Sequence, residues 1–448
     1  MAEWTAEETG LERVTSSSLL RALCDVRIWP PAHGAHWLYR RPLAAKSVRA
    51  ESSGSRRQVY GPCRELRCTI GASTTVRALL LFASLAGSSA HIQAAPAPAA
   101  IPAPSPAPAA QTPIPWNTKT QGQFITCLLQ DGKKLWLGTE DQGAWEYDPD
   151  AATPWKQFTS DSGMGDNDVY ALARDRFGRI WAGHLSHGVS VFNGVSWRNY
   201  SVPDGPVGNR IYDIACSPLD NDVWIATEAG ISRYSLKTDR WSCFTRLDGL
   251  PSDAARALAF NRSGKLFVGT QCDGIAIAGP GDGYRSWRLV PGPARLPPAD
   301  AGKGIPCRFI NCMLCSQRSE SVFAGTPWGL ARSDDAGKTW RYLRGADWEA
   351  KVKGLWHGPA PVKTLSPDKL LLEDYVTSLA ETDNGLLVIG FRQAGYEVMD
   401  PSHDQRLRRG SADYAFAMEV TPAHQLLIGS YGSGLQEVAL SESLFRGP

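Results

Sequence analysis

Lys134-Leu-Trp-Leu-Gly-Thr139 is a short apolar run closed by Gly-Thr, and it recurs through most of the chain. Ile180–His184 (I-W-A-G-H), Val223–Thr227 (V-W-I-A-T) and Leu266–Thr270 (L-F-V-G-T) repeat it closely. Weaker copies stand at Val322–Thr326, Leu387–Phe391 and Leu426–Ser430. The small residue of each copy falls at Gly138, Gly183, Ala226, Gly269, Gly325, Gly390 and Gly429, with spacings of 45, 43, 43, 56, 65 and 39 residues. A period in the low forties, built of short apolar runs and turns, is that of propeller blades with four strands each.

Each unit reads alike. An innermost strand, such as Val169–Arg174 or Ile211–Cys216, precedes the motif strand, and a Gly (Gly143, Gly188, Gly230, Gly274, Gly329) opens the third. Trp followed by an aromatic marks the fourth strand, as in Trp155/Phe158, Trp197/Tyr200, Trp241/Phe244 and Trp340/Tyr342. The expected fold is all-β, a seven-bladed β-propeller with four antiparallel strands per blade. The last unit ends with its third strand at Leu435–Leu440, whereas Trp116–Thr120 precedes the first inner strand as Trp155–Thr159 precedes the second. An N-terminal strand is therefore expected to complete the last blade, closing the ring and removing exposed strand edges.

The sixteen Trp and 43 Gly of the 448 residues suit short strands, tight turns and aromatic packing. The formal net charge of +2 hides an asymmetry. Up to Gln93 there are 12 Lys/Arg against 7 Asp/Glu, leaving 35 against 38 and a slightly acidic repeat region, which argues against a nucleic-acid partner. Residues 1–75 carry Arg and Ser clusters without a strand or helix period, and are expected to be disordered or outside the native product. Residues 76–94 read as a signal peptide: Arg77, the apolar run Ala78–Gly87, then small residues with candidate cleavage sites after Ala90 or Ala94. The run falls short of the roughly 20 residues that span a bilayer. A start near Val76 would deliver a periplasmic or secreted domain with no integral membrane segment. Residues 95–115 alternate Ala and Pro, a polyproline spacer, and residues 116–448 form the propeller.

The repeat resembles that of two-component regulator propellers, the sensor halves of exported bacterial receptors, whose pattern is D-x-x-G-x-l-W-i-G-T followed by x-x-G-l-x-r-y. Asp175-Arg-Phe-Gly-Arg-Ile-Trp-Ala-Gly183 matches it, as do Leu135–Gly138 with Gly143 and Tyr147. Ser333-Asp-Asp-Ala-Gly-Lys-Thr-Trp340 resembles the Asp-box of sialidase-like propellers, which implies a structural turn in blade five.

In this architecture the loops between second and third strands share one face, here the upper face, with the loops that lead into the next inner strand. Arg210, Arg256, Arg308 and Arg392 fall on that face and could supply planar donors to carboxylates. Trp328, Trp356 and Tyr431 could stack on a sugar-like ligand, with His184, His187 and Asp273 adding polar contacts. The alternative is that these Arg side chains pair with Asp166, Asp213, Asp253 and Asp273 around the mouth. Two long inter-blade loops, Leu289–Cys307 and Leu343–Asp374, also reach this face. His184 and His187 lack an obvious third ligand, so no metal and no cofactor is expected. Cys312 and Cys315 lie three apart along a strand and point to opposite faces, while Cys272 and Cys307 are the plausible disulfide of an exported domain.

No G-x-S-x-G elbow, phosphate loop or H-E-x-x-H occurs. The expected function is a monomeric, exported propeller that binds an acidic or sugar-like ligand, or a protein partner, without catalysis. The alternatives are a polysaccharide lyase or glycosidase of propeller fold, and a protein-interaction scaffold.

Overall fold

The computed structural model describes residues 120–294, 302–348, 350–351, 371–441 and 444. They form a β-propeller of seven antiparallel sheets, each running in chain order from an inner to an outer strand. Six sheets have four strands, and the seventh has three among the described residues. The inner strands are Ile125–Asp131, Val169–Arg174, Ile211–Cys216, Ala255–Phe260, Cys312–Cys315, Val376–Glu381 and Ala415–Val420. The sequence motif is the second strand of every blade: Lys134–Thr139, Ile180–His184, Val223–Thr227, Leu266–Thr270, Val322–Thr326, Leu387–Phe391 and Gln425–Ser430.

Motif strands are apolar on both faces because each sheet is covered by a blade on either side. Trp136, Trp181 and Trp224 are almost wholly buried. Trp136 stacks on Phe158 at 5.4 Å and packs with Ile180 and Phe192 of the second blade. The motif glycine marks the tightest approach between blades. A Cβ on Gly183 would lie 2.5 Å from Ile211 Cγ2, and one on Gly269 would lie 2.5 Å from Ile310 Cγ2. Ala226 is tolerated in the third blade, whose neighbour presents Ala255 to the same core cluster instead of a β-branched residue. The glycine that opens the third strand acts differently. Gly143 adopts φ 77°, and a Cβ there would run into the carbonyl oxygen of Phe158, the last residue of the outer strand.

The first blade lies beside the seventh: Phe124 bridges Tyr431, and Gly429 packs against Ile125 as Gly183 packs against Ile211. The expected closing strand, Trp116–Thr120, lies outside the described residues except for Thr120. The signal-like segment 76–94 and the spacer 95–115 lie wholly outside them.

Ser333–Trp340 forms a tight turn. Asp335 accepts the Thr339 backbone N–H at 2.8 Å and the hydroxyls of Thr339 and Ser333 at 2.7 and 2.8 Å. These donors hold its carboxyl down at about 2, and Trp340 donates to the Gly337 carbonyl at 3.1 Å. Cys312 and Cys315 do part: Cys312 packs with the cluster shared with blade six and Cys315 with that shared with blade four.

Candidate functional site

Each blade begins at the upper face with an apolar residue packed on the preceding blade, and the residue that follows it is an extra one. In six inner strands the ladder skips a position, namely Thr126, Tyr170, Tyr212, Arg256, Thr377 and Phe416. Such a bulge bends the strand and re-aims the extra side chain. Polar ones staple the blades. Thr126 donates to the Val169 carbonyl and Thr377 to that of Ala415, and Asn311, at the corresponding place in blade five, donates to the Val376 carbonyl at 2.7 Å.

The large ones build a collar. The Arg256 guanidinium lies 5.3 Å from the Tyr212 ring centre and 5.1 Å from that of Phe309, on the blades before and after it. Tyr375 and Tyr414, from blades six and seven, lie close enough to influence its titration. Burial there pushes its pKa down. Arg392 lies over Tyr375 at 5.2 Å. Phe124, Phe416, Tyr414 and Tyr431 complete the wall, with Phe124 edge-on to Tyr431 at 4.0 Å and Tyr414 stacked on Tyr431 at 6.1 Å. Burial pushes the Tyr414 phenol up to about 12 and raises that of Tyr375. Tyr414 holds its backbone at φ 43°, a left-handed geometry uncommon for an aromatic residue and frequent where a site is preorganised. The Arg392 loop is fixed by buried Glu373, which accepts the N–H groups of Gln393 at 2.7 Å and Ala394 at 3.0 Å. The collar thus offers cations and half-buried aromatic rings on one rigid rim.

Of the residues expected from sequence, Arg256, Arg392 and Tyr431 meet here. The others are placed elsewhere or already engaged. Arg308 donates through Nε to the Pro293 carbonyl at 3.0 Å. Arg210 stands beside Glu228, whose carboxylate accepts its backbone N–H at 2.9 Å. The Trp328 ring is covered by Arg344 at 5.3 Å, and Arg344 forms a buried pair with Asp374, their closest approach 2.6 Å. That pair latches the base of the long loop after blade five, where Trp348 is also buried. Trp356 lies outside the described residues. His184 is a correction: its ring is fully buried and bonded to Ser190 Oγ at 2.6 Å, so it presents nothing to a ligand. His187 is exposed and bonded to Asp166 at 2.9 Å. The backbone N–H of Asp273 donates to Thr270 Oγ1 at 3.0 Å, within its own loop. Cys272 is half-buried and Cys307 buried, in the two upper-face loops that the expected disulfide would join.

Among the described residues, three of the carboxylates weighed as alternative partners for these arginines have other partners. Asp166 takes His187, Asp213 accepts the backbone N–H groups of Leu258 and Ile214 at 2.7 and 2.8 Å, and Asp253 accepts that of Arg246 at 2.7 Å. Sequence reasoning missed Tyr212, Phe309, Phe124 and Phe416. Their signal is a large residue flanking the first apolar residue of an inner strand.

Residues 163–185 match the family model described as two component regulator propeller. The second-blade repeat matches that of two-component regulator propellers. The match covers the second-blade motif, with Asp175 accepting from Trp181 Nε1 at 2.9 Å and from Arg179 Nε at 2.6 Å. No curated protein matches the chain. Among solved structures, the extracellular domain of BT4673 from B. thetaiotaomicron, described as a one component system, is similar with TM-score 0.53 and 17% identity over 71% of this chain and 38% of that one. The extracellular domain of BT3049 from the same organism, described as a hybrid two component system, gives TM-score 0.52 and 18% identity over 70% of this chain and 39% of that one. PorZ, a surface component of the type-IX secretion system of Porphyromonas gingivalis, gives TM-score 0.50 and 12% identity over 72% and 38%. The chain therefore spans well under half the length of these structures, and the likeness is one of fold.

Proposed function

We propose that the chain is an exported, non-catalytic β-propeller whose upper mouth binds an acidic, sugar-like ligand. The observation that carries this reading is the collar. Arg392 lies over Tyr375 and forms no ion pair among the described residues, on a loop pinned by Glu373 and beside a continuous wall of aromatic rings. A half-buried guanidinium binds a carboxylate strongly because little competing water remains, and flat rings stack on a sugar or other planar face. Export is supported by the signal-like sequence and by the fold shared with extracellular sensor domains. Among the described residues no helix is long and apolar enough to cross a membrane.

The test is calorimetric titration of residues 116–448 against acidic oligosaccharides, with neutral oligosaccharides as controls. Arg392→Ala and Arg256→Ala are each expected to weaken binding by about 10- to 100-fold, the loss of a charge-assisted hydrogen bond. Equal binding of neutral and acidic sugars, or no effect of either substitution, would count against the reading.

A further inference from the structure

A cavity lies at the lower end of the inner strands, opposite the collar. It has a volume of about 320 Å³, at the small end of the ~300–1,000 Å³ range of ligand sites, and it is an open cleft lined by the ends of the inner strands of blades five, six and seven. Leu314, Leu379 and Met418 give it apolar walls, and its ionisable lining is Glu381, Asp383, Glu419 and Arg318.

Glu419 departs from the repeat. The corresponding position on the other inner strands is Leu129, Ala173, Ala215, Ala259, Leu314 or Ala380, apolar in every case. Glu381 is committed, accepting the Ser316 hydroxyl at 2.5 Å and the Gln317 N–H at 2.7 Å. Glu419 has no such partner among the described residues. Of the elements packed on its strand, the inner strand of blade six contributes Glu381, that of blade one contributes Asp131, and the motif strands of blades six and seven contribute no charge. Asp131 is paired with Arg174 at 2.7 Å. Arg318, the one cation of the lining, makes no ion pair with these carboxylates among the described residues.

We infer that this lower cavity is a binding site for a small amphiphilic organic cation, whose ammonium group pairs with the Glu419 carboxylate while its hydrocarbon lies against Leu314, Leu379 and Met418. The lining carries three carboxyl groups against one guanidinium, which selects a cation over an anion. Burial alone pushes the Glu419 carboxyl up to about 7, so the group is half protonated near neutrality. An arriving ammonium favours the carboxylate, and the proton leaves to solvent. Binding should therefore release up to one proton per ligand near pH 7 and weaken by up to tenfold for each pH unit below it. The inference is independent of the upper-mouth reading, since the two sites share no residue.

The experiment is calorimetric titration of residues 116–448 with n-butylammonium, n-butanol and butyrate, from pH 5.5 to 8 and in two buffers of different ionisation enthalpy. The expected result is binding of n-butylammonium alone, with proton release near pH 7. Glu419→Gln should weaken it at least tenfold and remove its pH dependence without lowering the Tm. Arg318→Ala should strengthen it several-fold by removing a like charge. Binding of butanol as tight as that of the ammonium, unchanged binding by Glu419→Gln, or no binding of n-butylammonium at 10 mM would each overturn the assignment.

Discussion

Thr120 Oγ1 accepts the backbone N–H of Leu435 at 3.0 Å, joining two residues 315 positions apart. The next residue back, Gly434, has φ 71°, and a Cβ on it would strike the Thr120 carbonyl, as one on Gly143 would strike that of Phe158. Thr120 thus occupies, against the seventh blade, the place that the end of the outer strand takes in the first. Thr120→Val removes the acceptor from a buried N–H and is expected to cost about 1–3 kcal/mol in chemical denaturation. Deleting residues 115–122 should lower the Tm far more, because it leaves a sheet edge open in the ring. An unchanged melting curve for the deletion would show that blade seven is completed some other way.

The motif glycine is set by its neighbour's side chain. Gly183→Ala places a methyl 2.5 Å from Ile211 Cγ2 and should destabilise by about 1–3 kcal/mol through overpacking. The double variant with Ile211→Ala recreates the Ala226 and Ala255 pairing and should recover part of the loss, read as a coupling term in a double-mutant cycle.

His184 gives the acid side of the pH dependence. Burial pushes its imidazole down from 6.5 to about 4, so between these values the unfolded chain binds the extra proton. Stability is therefore lost as pH falls through that window, by on the order of 3 kcal/mol. Relative to wild type, His184→Gln should fare better at pH 4.5 than at pH 7.5 in thermal denaturation.

Asp213 acts in the opposite sense. Its carboxyl is pushed by burial from 3.8 up to about 7, and the N–H groups of Leu258 and Ile214 only partly offset this. Here the folded state holds the extra proton, so stability falls as pH rises from about 4 through 7. Asp213→Ser, with the residue type found at Ser378, should gain relative to wild type at pH 7.5 and not at pH 4.5. A difference that does not change with pH would place the Asp213 proton elsewhere.

Arg392→Lys separates charge from shape. It keeps the cation but loses the planar fork that lies over Tyr375. Binding of an acidic oligosaccharide should weaken about tenfold, an order-of-magnitude expectation for losing one bidentate contact, while circular dichroism and Tm stay unchanged.

The sequence alone determined the number of blades, their order and the strands within them. Those features rest on local period: apolar runs flanking a Trp or Phe, a small residue after them, and a turn glycine, all within about 45 residues. It also contained Gly183 and Ala226 as a discrepancy, but only packing explains it, because Ile211 and Ala255 belong to the following blades. The tertiary structure decided the site. Arg210, Arg256 and Arg308 look equivalent along the chain, each close to the start of an inner strand. One lies beside a glutamate, one lies against the rings of Tyr212 and Phe309, and one is tied to a loop carbonyl. The difference is a single skipped position in the ladder, and a bulge is defined by the pairing partner and not by the residue itself. Packing also decides what His184 presents. It ends a motif strand as Thr139 and Thr227 do, and burial between blades, not polarity, sets what its ring can do.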